Sequence, residues 1–173
     1  MAQAIDSMIP GPAGQISVRT KGLRSYTNDV VVLVQGANIS GTAGYDLNFE
    51  GGEDYSFMDA MVERGFGAVT FSIRGYAQSE LNVDPLTVQT EQAIEDLAAV
   101  IDWLNKQGIA KPHLLGWSWG GRIIGRYAEQ NADRVNRLIL LDPALGGGQL
   151  ILPAPEEGWW DNTYDYFMRR LED

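Results

Sequence analysis

Apolar residues fall along this chain in two different rhythms. Two short runs are almost continuously apolar, DVVVLVQG at 29–36 and GAVTFSIRG at 67–75, and both end on glycine. Continuous runs rich in β-branched residues suit strands buried on both faces, as in a parallel sheet. KPHLLGW at 111–117 and VNRLILLDP at 135–143 read the same way, the second closed by Pro143. QISVRT at 15–20 alternates and predicts a short half-buried strand.

Between the runs the period changes to that of a helix. In EQAIEDLAAVIDWLNKQG, 91–108, Ile94, Leu97, Ile101 and Leu104 recur at helical spacing and Gly108 supplies a stop. SFMDAMVERGF, 56–66, puts Phe57, Met61 and Val62 on one face before Gly65. GGRIIGRYAEQNADR, 120–134, predicts a further helix beginning just after Ser118. NISGTAGYDLNFEGGEDY (38–55) and YAQSELNVDPLT (76–87) read as loops, the first long enough to suggest a function. Strand and helix thus alternate from residue 30 to 142. That pattern predicts an α/β fold with a mostly parallel sheet, its active site at the carboxyl ends of the strands. After Pro143 the character changes: glycines, prolines and the pair Trp159-Trp160 precede DYFMRRLED, a possible last helix. The expected division is therefore a core over 1–145 and the start of a cap or lid segment over 146–173.

Composition narrows the functions. With 45% hydrophobic and 21% charged residues over 173 positions, the chain can bury a real core. The net charge of −10 opposes binding to phosphate backbones, so no nucleic-acid partner is expected. There is no cysteine and only one histidine, which argues against a metal site. The first residues show no basic and apolar leader, and no run approaches the ~20 residues of a membrane span. A cytoplasmic location without a membrane partner is the expectation.

One stretch carries chemistry. LLGWSWGGR, 114–122, holds G-x-S-x-G as Gly116-Trp117-Ser118-Trp119-Gly120. Ser118 falls where a strand turns into a helix, a turn that can strain its central residue and expose its hydroxyl. Strand and helix then approach closely, so Gly116 and Gly120 must be small. The helix N-terminus favours negative charge beside Ser118, and the Trp119 N–H is a candidate oxyanion donor. A second donor is expected from the loop after an earlier strand, here QGAN at 35–38, where Gly36 admits close approach and Ala37 offers its N–H. Trp117 and Trp119 are either substrate contacts or packing residues. Arg74, at the same edge, is expected to hold loops by a salt bridge.

Taken together, VVLVQGAN, FSIRGYAQS, HLLGWSWGG and DRVNRLILLDP resemble the α/β-hydrolase family over about residues 28–145, in order and in spacing. The resemblance implies a Ser–acid–His triad, an oxyanion hole and hydrolysis through an acyl-enzyme, with Ser118 as nucleophile. A serine there argues against the branches that use aspartate, such as haloalkane dehalogenases and epoxide hydrolases. It implies no cofactor, and a small ester or acyl compound as substrate. Two features depart from the family pattern. Gln35-Gly36 stands where His-Gly is usual. The family order Ser, acid, His also leaves the base unaccounted for, since His113 precedes the nucleophile at the bottom of its strand and reads as structural. Asp142, at the end of strand 6, is either the acid or, preferably, a turn cap. A C-terminal segment or second chain is expected to bring the histidine and to cover RLILLDP, which would otherwise be a bare hydrophobic edge. The competing reading is a binding or assembly module that keeps the elbow without a base.

Overall fold

The computed structural model describes residues 2–23, 29–49 and 55–145. Six strands form one sheet: β1 (Ala4–Gly11), β2 (Gly14–Lys21), β3 (Val30–Val34), β4 (Gly67–Phe71), β5 (His113–Trp117) and β6 (Leu138–Leu141). Their order is β1-β2-β4-β3-β5-β6. The four strands from β4 to β6 run parallel to one another, while β1 pairs antiparallel with β2 and β2 antiparallel with β4. The sheet is thus mixed, with its parallel half where the apolar runs predicted it. Among the described residues four α-helices flank it: α1 (Gly41–Tyr45), α2 (Phe57–Glu63), α3 (Thr90–Lys106) and α4 (Trp119–Gln130). None of the helices among the described residues is long and apolar enough to cross a membrane.

The continuous apolar runs have a simple cause. Successive strand side chains point to opposite faces, and both faces of the central strands are covered. Val30, Val32 and Val34 of β3 join Leu114 of β5 and the inner faces of α3 and α4 in the larger core cluster. Val31 and Leu33 join Leu115, Tyr45 and Met58 on the opposite face. Helix α3 buries Leu97, Ile101 and Leu104 as its period predicts, adds Ala93 and Val100, and leaves Ile94 only partly buried. Gly108, at φ 87°, takes the left-handed conformation that turns the chain after α3. In α2 the predicted face is shifted. Met58 is the fully buried residue, and Phe57, Met61 and Val62 pack around it partly exposed.

Two elements depart from the sequence expectation. Residues 4–11 form β1, a strand the pattern did not announce because seven of its eight residues are not buried and Pro10 interrupts it. It is an edge strand, where proline is tolerated, and pairs Gly11 with Gly14 across a tight hairpin. The long loop after β3 contains the short helix α1, capped by the Ser40 side chain at the Ala43 N–H. Residues 50–54 of the predicted loop, the Trp159-Trp160 pair and the last predicted helix lie outside the described residues.

At the other edge β6 pairs only with β5 among the described strands. All four of its residues, Leu138, Ile139, Leu140 and Leu141, are 41–49% exposed. Among the described residues, helix α4 and strand β5 leave this strand only partly covered.

Candidate functional site

Ser118 follows β5 and caps α4, with φ 54° and ψ −117°. A side chain in this region crowds its own backbone, at a cost of about 1–3 kcal/mol. The surroundings hold it there. The Ser118 N–H donates to Leu141 O at 3.1 Å, and its carbonyl accepts from the N–H groups of Gly121 (3.0 Å) and Ala144 (2.9 Å). Ala77 and Asp142 are the other non-glycine residues with positive φ among those described. All three strained residues thus lie in loops leaving the carboxyl ends of β4, β5 and β6.

The glycines of the motif answer to measured distances. A methyl group built on Gly116 falls 2.3 Å from Gly120 O, and one built on Gly120 falls 2.2 Å from Val34 O. On Gly121 it meets Pro143 Cβ at 2.5 Å. Helix α4 therefore lies backbone to backbone on β3 and β5, and that contact puts its N-terminus beside the serine.

The loop after β3 reaches the same place. At Gly36 an added methyl would sit 3.5 Å from Ser118 Cβ and 3.2 Å from the Trp117 ring. The ladder between β3 and β5 ends at Val34 and Gly116, so Gln35, Gly36 and Ala37 have left the sheet. Gln35 is 1% exposed. Its Oε1 accepts from Gly41 N–H at 3.0 Å and from Ile73 N–H at 3.3 Å, while its Nε2 has no partner among the described residues. The glutamine therefore ties the loops after β3 and β4 together. The Tyr76 hydroxyl adds a second tie by donating to the Ala37 carbonyl.

The remaining candidates fall into clear places. Trp119 packs against the larger core cluster, and its Nε1 donates to Thr90 Oγ1 at 3.0 Å. Trp117 is 39% exposed beside the serine. Arg74 is a loop anchor. Its guanidinium contacts Asp96 at 2.7 and 2.9 Å and Glu95 at 2.9 Å, and its N–H donates to Asp96 at 2.9 Å. His113 opens β5, so the full length of the strand, ~16 Å, separates it from Ser118. Its ring is buried edge-on to Phe66, and its Nε2, 3.8 Å from Asp29, has no hydrogen bond among the described residues. Asp142 follows β6 at φ 42°. The turn cap expected of its side chain is not formed with any described residue.

Sequence reasoning missed a buried ionic network behind this edge. Lys21 Nζ lies 2.6 Å from Asp46 Oδ1 and 2.9 Å from Asp59 Oδ2, and Arg19 reaches Asp46 Oδ2 at 3.0 Å. Ser56 Oγ donates to Asp46 at 2.6 Å. Burial alone would raise the Asp46 pKa, but the hydrogen bonds from Lys21 and Ser56 hold it below the ordinary value. The same bonds, from Asp46 and Asp59, hold Lys21 above its own against burial. The network ties Asp46, at the end of α1, and Ser56 and Asp59, at the start of α2, to β2. The one sequence signal was a lysine ending an otherwise apolar-alternating strand.

Comparison with known proteins agrees with this geometry. The sequence profile of the alpha/beta hydrolase fold matches residues 29–171. A 2-hydroxy-6-oxononadienedioate/2-hydroxy-6-oxononatrienedioate hydrolase of Escherichia coli K12 is 31% identical over 146 residues, covering 80% of this chain. The chain spans about half the length of such relatives, 46% in this case. Epoxide hydrolase A of Mycobacterium thermoresistibile superposes with a TM-score of 0.63 at 18% identity, over 80% of this chain and 39% of that one. A serine hydrolase of Cycloclasticus zankles gives 0.61 at 18%, over 82% and 46%. At these identities the structural likeness shows the fold alone.

Proposed function

The chain belongs to the α/β-hydrolase fold family, and on that premise we propose that it carries the nucleophile and oxyanion site of a serine hydrolase working through an acyl-enzyme, in its simplest form a carboxylic ester hydrolase. The observation that carries this reading is the strained turn at Ser118 between β5 and α4, at φ 54°. Strain of this kind persists where the surroundings over-determine it, and it clusters at active sites. Here it lifts a hydroxyl out of the sheet at the start of a helix.

The chemistry follows from the positions. Ser118 Oγ attacks the substrate carbonyl carbon, and its proton passes to a histidine. The tetrahedral oxyanion accepts hydrogen bonds from the N–H groups of Trp119 and Ala37. As the first residue of α4, Trp119 has no intrahelical acceptor for its N–H. Each such donor is worth about 3–4 kcal/mol of barrier. The intermediate collapses, the leaving alkoxide takes the proton from the imidazolium, and the acyl group stays on Ser118 Oγ. Water, deprotonated by the same histidine, then releases the acid. His113 is too far away to serve. The base comes from a C-terminal segment or second chain that also covers β6, and Asp142 remains a candidate for the acid.

A second reading is favoured by the Escherichia coli relative at 31% identity. Its name identifies a hydroxy-oxo-dienedioate as substrate, and the same serine could open a bond to carbon in such a compound. The test is turnover of p-nitrophenyl butyrate and of 2-hydroxy-6-oxononadienedioate by the full-length protein and its Ser118→Ala variant. Either activity should fall by about a millionfold in the variant. Which compound is consumed decides between ester and carbon–carbon chemistry. If wild type consumes neither, a non-catalytic module is the better account.

A further inference from the structure

The oxyanion site proposed above needs an Ala37 N–H that points one way, yet nothing in the sheet holds it. The pairing of β3 with β5 stops at Val34. Asn38 beyond is exposed. What grips this loop is the turn after β4. That turn is itself stiff: Arg74 is bound to Asp96 through both its guanidinium and its N–H. The Gly75 N–H donates to Glu80 O at 2.7 Å, and the Glu80 N–H donates to Gln15 O at 2.7 Å. Ser79 Oγ accepts from the Ser17 N–H at 2.9 Å. From this braced turn two contacts reach the β3 loop. One is Ile73 N–H to Gln35 Oε1, and the other is the Tyr76 hydroxyl to the Ala37 carbonyl.

We infer that Tyr76 is a positioning residue for the oxyanion site: its hydroxyl, bonded to the Ala37 carbonyl, anchors the Ala37–Asn38 peptide, and with Gln35 held on the other side of Gly36 this narrows the orientations open to the Gly36–Ala37 peptide that carries the Ala37 N–H. This rests on the serine-hydrolase reading of Ser118. Gln35 holds the residue before Gly36, and Tyr76 holds the residue after it. Gly36, the flexible link between them, is clamped from both sides. The Tyr76 ring packs on the larger core cluster, so the hydroxyl is delivered by a seated side chain. Burial raises the Tyr76 pKa above its ordinary 10.0, so the phenol stays a donor across the working pH range. Tyr76 touches no reacting atom. It acts on a donor whose value depends on being preorganised before charge develops.

The sequence offered no warning of this. Only the folded chain brings residue 76 against residue 37.

The test is Tyr76→Phe in the full-length protein, which removes one hydroxyl and keeps the ring. Misplacing a catalytic group by about 1 Å costs on the order of a hundredfold, so kcat for p-nitrophenyl butyrate should fall about ten- to a hundredfold with KM unchanged. Affinity for phenylboronic acid, whose tetrahedral serine adduct mimics the oxyanion, should fall by a similar factor. Near-UV circular dichroism should remain that of wild type. A role confined to loop stability would instead change KM and the spectrum and leave boronate affinity alone. Where wild-type turnover depends on Ser118 but the variant keeps kcat and boronate affinity within about twofold, this inference falls alone. A wild type that neither hydrolyses the ester nor binds the boronate overturns both this inference and the reading beneath it.

Discussion

Helix α4 contains two glycines that should respond to alanine with opposite signs. Gly120 lies against β3, and a methyl there would fall 2.2 Å from Val34 O, 2.7 Å from Gln35 O and 2.8 Å from Val34 C. The shortfall from the 3.4 Å of ordinary contact is about 1.2 Å. All three neighbours are backbone atoms of β3 and the residue after it, so no side chain can rotate away. Overpacking of this kind costs about 1–3 kcal/mol, and a rigid partner places it at the upper end. Alanine's better helix propensity returns about 1 kcal/mol. Gly120→Ala should therefore be destabilised by about 2 kcal/mol, and α4 should be pushed off β3, carrying Ser118 with it. Gly125 is five residues on in the same helix, and nothing among the described residues lies within 4 Å of a methyl built there. Gly125→Ala should keep the propensity gain, about 0.5–1 kcal/mol of added stability, at no packing cost. The assay is urea unfolding of both variants and wild type, with ester turnover measured on the same samples. Equal effects of the two substitutions, or a Gly120→Ala variant as stable and active as wild type, would refute the claim that backbone contact seats the elbow.

Replacing Asp46 by Asn should cost about 3 kcal/mol, because it weakens the buried partnership of Lys21 and Arg19. The folded Asp46 pKa lies below its ordinary 3.8, so its contribution is full above that value and is lost as pH falls through the folded one. Lys21 is shifted up, so its part is full below 10.5 and is lost as pH rises through its folded value. Unfolding free energies of wild type and Asp46→Asn should thus differ most between 3.8 and 10.5 and converge in acid; a gap that persists undiminished in strong acid would contradict this. At the sheet edge, hydrogen exchange should find the outer amides of Leu138–Leu141 protected in the full-length protein. Fast exchange there would show that β6 stays a free edge.

How much of this could be read from the sequence depended on how local the cause was. The parallel strands were legible because β3, β4 and β5 are buried on both faces, which writes a continuous run into the chain. Strand β1 was not, because an edge strand with mostly exposed side chains leaves no such mark. The elbow was legible because its demands fall on neighbours: Gly116 and Gly120 must be small within two residues of Ser118. The Lys21–Asp46–Asp59 network and the Tyr76–Ala37 tie join residues 25 to 39 positions apart, and no spacing rule announces them. Arg74 falls between: its place at the end of a strand suggested a loop anchor, but Asp96 as its partner could only be seen once α3 had packed.

The central claim is that Ser118 is an activated nucleophile, and covalent labelling tests it most directly. The full-length protein is treated with a fluorophosphonate probe, and the adduct is weighed intact and mapped by peptide mass spectrometry. The account predicts one adduct per chain, on Ser118, formed rapidly by wild type and not at all by Ser118→Ala. Absence of labelling in the wild-type protein, or labelling at another residue, would contradict it.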